Sequence, residues 1–179
     1  KGRWRESSGW SWLMQSIGIV APPCMDGALC DQHENRRIRT MCGIAGFLIG
    51  AGTWQQERAR GVLEAMAGAM IHRGPDDQGV WFDAAKGVGL AHRRLSIIDL
   101  SPGGHQPMLS GNSRFVITFN GEIYNYAELR SELAASGSRF RSTSDTEVLL
   151  KAIATWGMVA ACKKLVGMFA FAVQDQTDN

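Results

Sequence analysis

The 179-residue sequence holds no run of 18 apolar residues, so no stretch of it reads as a membrane-spanning helix. It has little net charge. The 19 Lys and Arg against 17 Asp and Glu leave +2 at pH 7, and no dense basic run concentrates them, which argues against a nucleic-acid surface. Only 4 cysteines occur, Cys24, Cys30, Cys42 and Cys162, and they fall at no zinc-ligand or redox-pair spacing. A reduced, cytoplasmic protein with free thiols is therefore expected. There is no internal repeat and no low-complexity segment. What remains is the composition of one ordinary globular domain, 45% hydrophobic and 20% charged, long enough to bury a core without staples.

Residues 1–40 differ from the rest. A basic start and an apolar stretch from Trp10 to Ala21 faintly resemble a signal peptide, but Ser11, Gln15 and Ser16 interrupt it and no small-residue cleavage site follows. We read this segment as a non-native upstream extension, in preference to a propeptide or a leader. It is expected to be disordered and to supply no fold.

From Met41 onward, short apolar runs alternate with amphipathic stretches. "GIAGFLIG" reads as a buried strand, and "GVWF" and "GVGLAHRRL" read as strands around a "DAAKG" hairpin loop. "RFVITF" is a further strand running into "NGE", and "GMFAFAVQD" is a last one, with no return partner behind it, from which a C-terminal truncation is expected. Three helices are expected. Thr53 and Gln56 open the first as a capping box, Asn125 and Glu128 the second, and Ser144 and Glu147 the third, with Gly137 and Gly157 closing the last two. Strands before, between and after the helices indicate an α+β sandwich.

Four features carry chemistry. Cys42 follows a methionine, so initiation at Met41 and its removal would leave a cysteine with a free α-amine of pKa near ~8 beside its thiol, a base on the same residue. A histidine is the alternative base, with His72, His92 and His105 as candidates; a buried strand cysteine is the default for Cys42 taken alone. An arginine in "AHRRLSIID" could clamp a substrate carboxylate through its planar fork, against the default of a surface arginine. "NGE" could supply an amide side chain and a glycine N–H to one oxyanion, against the default of a tight turn. Asp145 in "STSDTEV" could hold an ammonium, against the default of a helix cap. Together they form an inventory for hydrolysing an amide on an amino-acid substrate.

The blocks "MCGIAGF", "HRGPDDQGVW", "LAHRRLSIIDLSPGGHQPM", "FNGEIYNYAELR", "SDTEVLL" and "GMFAFAVQD" resemble, in order, the glutaminase domain of glutamine-hydrolysing asparagine synthetases, which are N-terminal-nucleophile amidotransferases. The resemblance implies a four-layer αββα sandwich over residues 41–179, incomplete at its C-terminus. It implies that Cys42 attacks glutamine to form a γ-glutamyl thioester and that Asn120 and Gly121 form the oxyanion hole. Arg94, with Leu95, Ser96, Ile97 and Ile98 beside it, would bind the α-carboxylate end of glutamine, and Glu122 and Asp145 its ammonium. Arg93 would not be the clamp, and the loop His72–Asp76 would shape the pocket. No metal or cofactor is expected in this part. The resemblance places ATP and magnesium in a separate synthetase domain, absent here, to which ammonia would pass to make asparagine from aspartate. Glutamine and that domain are the expected partners, a homodimer stays open, and nucleic acid and membrane are not expected. Rival readings are an amidotransferase with another acceptor, in polysaccharide or antibiotic pathways or on a sugar phosphate or phosphoribosyl substrate, and a non-catalytic glutamine-binding domain. With residues 1–40 retained, the Cys42 nitrogen is an amide without useful basicity.

Overall fold

The computed structural model describes residues 17–20, 42–96 and 102–177. Its elements run β1 (Ile17–Val20), β2 (Gly43–Leu48), α1 (Gln56–Ala69), β3 (Asp77–Asp83), β4 (Val88–Arg94), a 3-10 turn (Pro102–Gly104), β5 (Met108–Leu109), β6 (Phe115–Ile123), α2 (Tyr126–Ala135), α3 (Asp145–Trp156), α4 (Met158–Lys164) and β7 (Gly167–Asp175). The strands form a 3-stranded sheet in the order β2-β4-β3 and a 4-stranded sheet in the order β1-β7-β6-β5, antiparallel throughout.

Each helix lies where its apolar stripe can be covered. On α1, Ala59, Leu63 and Ala67 recur every fourth residue and bury against Phe82 and Ala91 of the smaller sheet. On the other side of the molecule, Leu129 and Leu133 of α2, Val148, Leu149 and Ile153 of α3 and Ala161 of α4 pack on Ile117, Phe119, Ile123 and Phe171 of the larger sheet. The two sheets meet through Val88, Leu90 and Val116. The order helix, sheet, sheet, helices is the expected αββα sandwich. Strand β4 is buried along its whole length because it is central in its sheet and covered on both faces.

Local expectations fared unevenly. The turn after β3 forms as read, with Asp83 Oδ1 accepting from the amides of Ala85 and Lys86. Ser144 caps α3 by accepting from Thr146 N at 3.1 Å, and Gly157 ends it. None of the three capping boxes closes, and α1 and α2 have no side-chain cap. Thr53 sits in a turn on Gly50, α1 starts from Gln55, and Asn125 turns its amide onto Lys164 O and Val166 N, tying α2 to the entry of β7. Glu147 accepts from the Arg141 and Ser142 amides instead of closing a box with Ser144, so it fastens the preceding loop. Helix α4 was not foreseen, since its short run lies directly behind the glycine that ends α3.

The far edge of β7 does have a partner: Phe171–Gln174 pair with Ile17–Val20, part of the segment expected to supply no fold. The other residues of that segment, including Cys24 and Cys30, lie outside the described residues, as does Met41. Among the described residues, no helix is long and apolar enough to cross a membrane.

A buried polar contact crosses between the sheets. His92, on the face of β4 turned to the larger sheet and only 1% exposed, has Nε2 3.1 Å from Phe119 O. A carbonyl only accepts, so Nε2 carries the proton. Burial holds the ring down, from an ordinary 6.5 to about 4, and it is neutral at pH 7. As pH falls, the unfolded chain therefore takes up this proton first. The contribution is complete above about pH 6.5 and is lost on the way down to about 4, on the order of 3 kcal/mol in full. Urea unfolding between those pH values is expected to show a shallower loss of stability for His92→Gln, which keeps an N–H for the carbonyl. Equal slopes would contradict a buried neutral His92.

Candidate active site

The site is assembled where the start of β2 meets the end of β4. Their register sets Gly43 opposite Arg93, so Cys42 lies beside the residues that follow Arg93. Leu95 N donates to Cys42 Sγ at 3.2 Å, and Sγ lies 3.5 Å from Leu95 O. The thiol is half-buried. Burial pushes its pKa up, more than the Leu95 amide and the Arg94 charge pull it down, and the Asp145 charge adds to the rise. At neutral pH Cys42 is thus a thiol that needs a base.

None of the three candidate histidines hydrogen-bonds Cys42. His92 is neutral beneath Phe119, His105 Nδ1 is 2.7 Å from Asp77 Oδ2 on the surface, and His72 is exposed.

The two arginines divide their work. Arg93 donates through Nε to Gly74 O at 2.8 Å and through Nη1 to Gln78 Oε1 at 2.9 Å, so it braces the loop ahead of β3. Arg94 is 8% exposed and acts electrostatically on Cys42. Its guanidinium lies close against Gly104, where an added Cβ would collide with it unless the side chain shifted. The loop His72–Asp76 is hydrogen-bonded to this corner. Arg73 Nε donates to Cys42 O at 3.4 Å, Asp76 N donates to Arg94 O at 3.0 Å, and Asp76 Oδ2 accepts from Ser96 N at 2.8 Å. Ile97 and Ile98 lie outside the described residues.

Asn120, Gly121 and Glu122 are not a turn. Strand β6 runs on through them to Ile123, paired with β7. Asn120 is half-buried, and its Oδ1 is buried with no hydrogen-bond partner among the described residues. Gly121 has φ 145°, a value that L side chains rarely adopt, and a Cβ would strike Met168 O, so this residue has to be glycine. Ile123 N donates to Asp145 Oδ2 at 3.1 Å. Burial pushes the Asp145 carboxyl upward against the pull of that amide and of Thr146, and Glu122 adds like charge. An arriving cation would relieve both penalties.

Cys42 therefore stands in the fields of a cation, Arg94, and a buried carboxylate, Asp145. That polarity fits a zwitterionic amino acid. The residues that sequence reasoning left without a role are Gly104 and Gln106, whose block "GGHQPM" was recognised but carried no chemistry by type alone. A separate cavity of about 380 Å³, lined by Met108, Leu109, Arg141, Glu147 and Lys151 among others, shares none of these residues.

Alkylation of Cys42 by iodoacetamide, followed by peptide mass spectrometry, is expected to show a pH midpoint above that of an ordinary thiol, with urea abolishing the difference. A midpoint at or below the ordinary one would contradict burial as the dominant influence. For Gly121→Ala the expected outcome is loss of the folded state or a local distortion of β6, read by its thermal unfolding. An unchanged transition would contradict the close approach to Met168.

Comparison with known proteins bears on the family and the fold. Residues 41–179 match the family model described as glutamine amidotransferase domain. The chain is 43% identical over 139 residues to asparagine synthetase [glutamine-hydrolyzing] 1 of Bacillus subtilis, covering 78% of this chain and 21% of that protein. It is 40% identical over 146 residues to a putative asparagine synthetase [glutamine-hydrolyzing] of Mycobacterium tuberculosis, covering 75% of this chain and 22% of that protein. The chain thus spans about a fifth of the length of these relatives. Among solved structures, the glutamine phosphoribosylpyrophosphate amidotransferase of B. subtilis matches with a TM-score of 0.54 at 21% identity, over 75% of this chain and 35% of that one, a likeness of fold alone. The sandwich and the residue 41–179 match lead to one conclusion: this chain belongs to the glutamine amidotransferase domain family.

Proposed function

We propose that this domain hydrolyses glutamine to glutamate and ammonia through Cys42, as the glutaminase part of an ATP-dependent asparagine synthetase. The observation that carries the reading is the thiol of Cys42 held on the Leu95 amide, with Arg94 and Asp145 both acting on it. In this reading Arg94 pairs with the α-carboxylate of glutamine, and Asp145 and Glu122 with its ammonium. In the same reading the backbone of Leu95 and Ser96 lies beside that pairing, and Ile97 and Ile98 remain sequence-based candidates.

Sγ attacks the side-chain carbonyl carbon, and its proton passes to the α-amine of Cys42. The oxyanion is met by the Asn120 side chain and the Gly121 N–H. Collapse breaks the C–N bond, the departing nitrogen takes the proton and leaves as ammonia, and a γ-glutamyl thioester remains. Water, deprotonated by the same amine, opens the thioester to glutamate and restores the thiol. The mechanism requires Cys42 to be the first residue of the mature chain, since an amide nitrogen is no base. That no histidine reaches Sγ supports the α-amine in this role.

The acceptor half rests on the relatives' names. In this reading a further domain of the longer protein would bind ATP and magnesium, which would supply the activation of aspartate for attack by the ammonia. Among the described residues, no group of three or more His, Cys, Asp or Glu could hold a metal.

In a full-length chain beginning at Cys42, Cys42→Ala is expected to abolish glutamate release from glutamine, measured by a coupled glutamate assay. Residual turnover near wild type would sink the reading. Arg94→Lys keeps the charge and loses the planar fork, so KM for glutamine should rise roughly 10- to 100-fold while kcat moves less. An unchanged KM would remove Arg94 from the carboxylate.

A further inference from the structure

The edge of β6 that faces β5 is finished residue by residue. Ladder pairing with β5 covers only Val116 and Ile117, opposite Leu109 and Met108. Beyond them, the backbone groups of every second residue point to the same edge. Phe119 is the first without a strand beside it, and side chains stand in for one. Its N–H donates to Gln106 Oε1 at 2.6 Å, and its C=O accepts from His92 at 3.1 Å. Two positions further, the Gly121 amide belongs to this edge as well. Two further again, Ile123 N is taken by Asp145. The amide assigned to the oxyanion thus lies between two positions already closed by side chains.

Gln106 does more than end a ladder. It is 6% exposed, and its Nε2 donates to Thr146 Oγ1 at 3.2 Å, where Thr146 follows Asp145 at the start of α3. One amide side chain therefore joins the residue before Asn120 to the residue after Asp145. The preceding His105 is held by Asp77, which fixes the approach of this segment to β3. Nothing in the glutamine-hydrolysis scheme above uses Gln106 directly.

We infer that Gln106 is a positioning residue for amide hydrolysis: by holding the Phe119 N–H it sets the 119–120 backbone and so the aim of the Asn120 and Gly121 donors at the oxyanion. The inference rests on the proposed glutaminase reading. Oxyanion donors act mainly in the transition state, so loss of their aim lowers kcat, whereas the clamps at Arg94 and Asp145 continue to bind glutamine.

The test uses the full-length chain with two readouts, steady-state glutamine hydrolysis and hydrogen exchange of the Phe119 amide. Gln106→Met keeps size and removes the acceptor. It is expected to lower kcat roughly 10- to 100-fold with KM within about twofold, and to speed exchange at Phe119 but not at Ile117. Gln106→Glu restores an acceptor and is expected to recover most of kcat and the slow exchange. Should Gln106→Met not fold, Gln106→Asn, one methylene too short to reach, is read in the same way. A rise in KM at unchanged kcat would overturn the inference, as would a loss of activity that only follows the fraction folded. Exchange at Phe119 that does not change would overturn it too. If the wild type releases no glutamate from glutamine, the glutaminase reading fails and the catalytic part of the inference with it, while the exchange data still decide whether Gln106 holds the strand.

Discussion

Leu95 N donates to Cys42 Sγ because β2 and β4 pair with Gly43 opposite Arg93. That register is the constraint on which the rest of the site depends. Side chains alternate along a strand, so a slip of one residue would exchange Arg93 for Arg94. The arginine that braces Gly74 and Gln78 would then face the thiol, and Arg94 would face α1. The loop His72–Asp76 and the glycine at 104 reinforce the same register from outside, by holding the Arg94 and Ser96 backbone and by leaving room for the Arg94 guanidinium.

The second element of the site is a strand edge left incomplete. Strand β6 exceeds β5 by several residues, and the surplus backbone is capped by Gln106, His92 and Asp145 in turn. A buried edge without such partners would leave costly unpaired amides. The same need that closes the edge also organises the chemistry: the groups that satisfy the backbone on either side of Gly121 are His92 of β4, Gln106 ahead of β5 and Asp145 of α3, and two of these elements carry Arg94 and Asp145. Fold stability and site geometry are therefore secured by the same hydrogen bonds.

Much of this was legible in the sequence. Apolar runs located β2, β4, β6 and β7, Gly157 marked the end of α3, and the resemblance of the six ordered blocks to a known glutaminase domain, not any one residue, pointed to Cys42, Arg94, Asn120, Gly121 and Asp145 as candidates. What could not be read has physical reasons. Asn-Gly usually signals a turn, and only the pairing of Gly121 with Phe169 shows the strand continuing through it. Capping-box patterns at Thr53 and Asn125 were overridden by tertiary partners, Gly50 for the first, Lys164 and Val166 for the second. Gln106 is invisible by type, since a glutamine acquires a role only from what it meets across the fold. The pairing of Ile17–Val20 with β7 likewise joins segments about 150 residues apart, a distance that no local pattern reports.

The central claim is that the nucleophile and its base are one residue. It is tested most directly by comparing single-turnover hydrolysis of glutamine by two full-length chains, one beginning at Cys42 and one blocked from losing Met41, identical otherwise. The account predicts thioester formation in the first and a loss of at least roughly 100-fold in the second, the scale of a general base removed. Equal rates would contradict it, and would require a base other than the α-amine of Cys42.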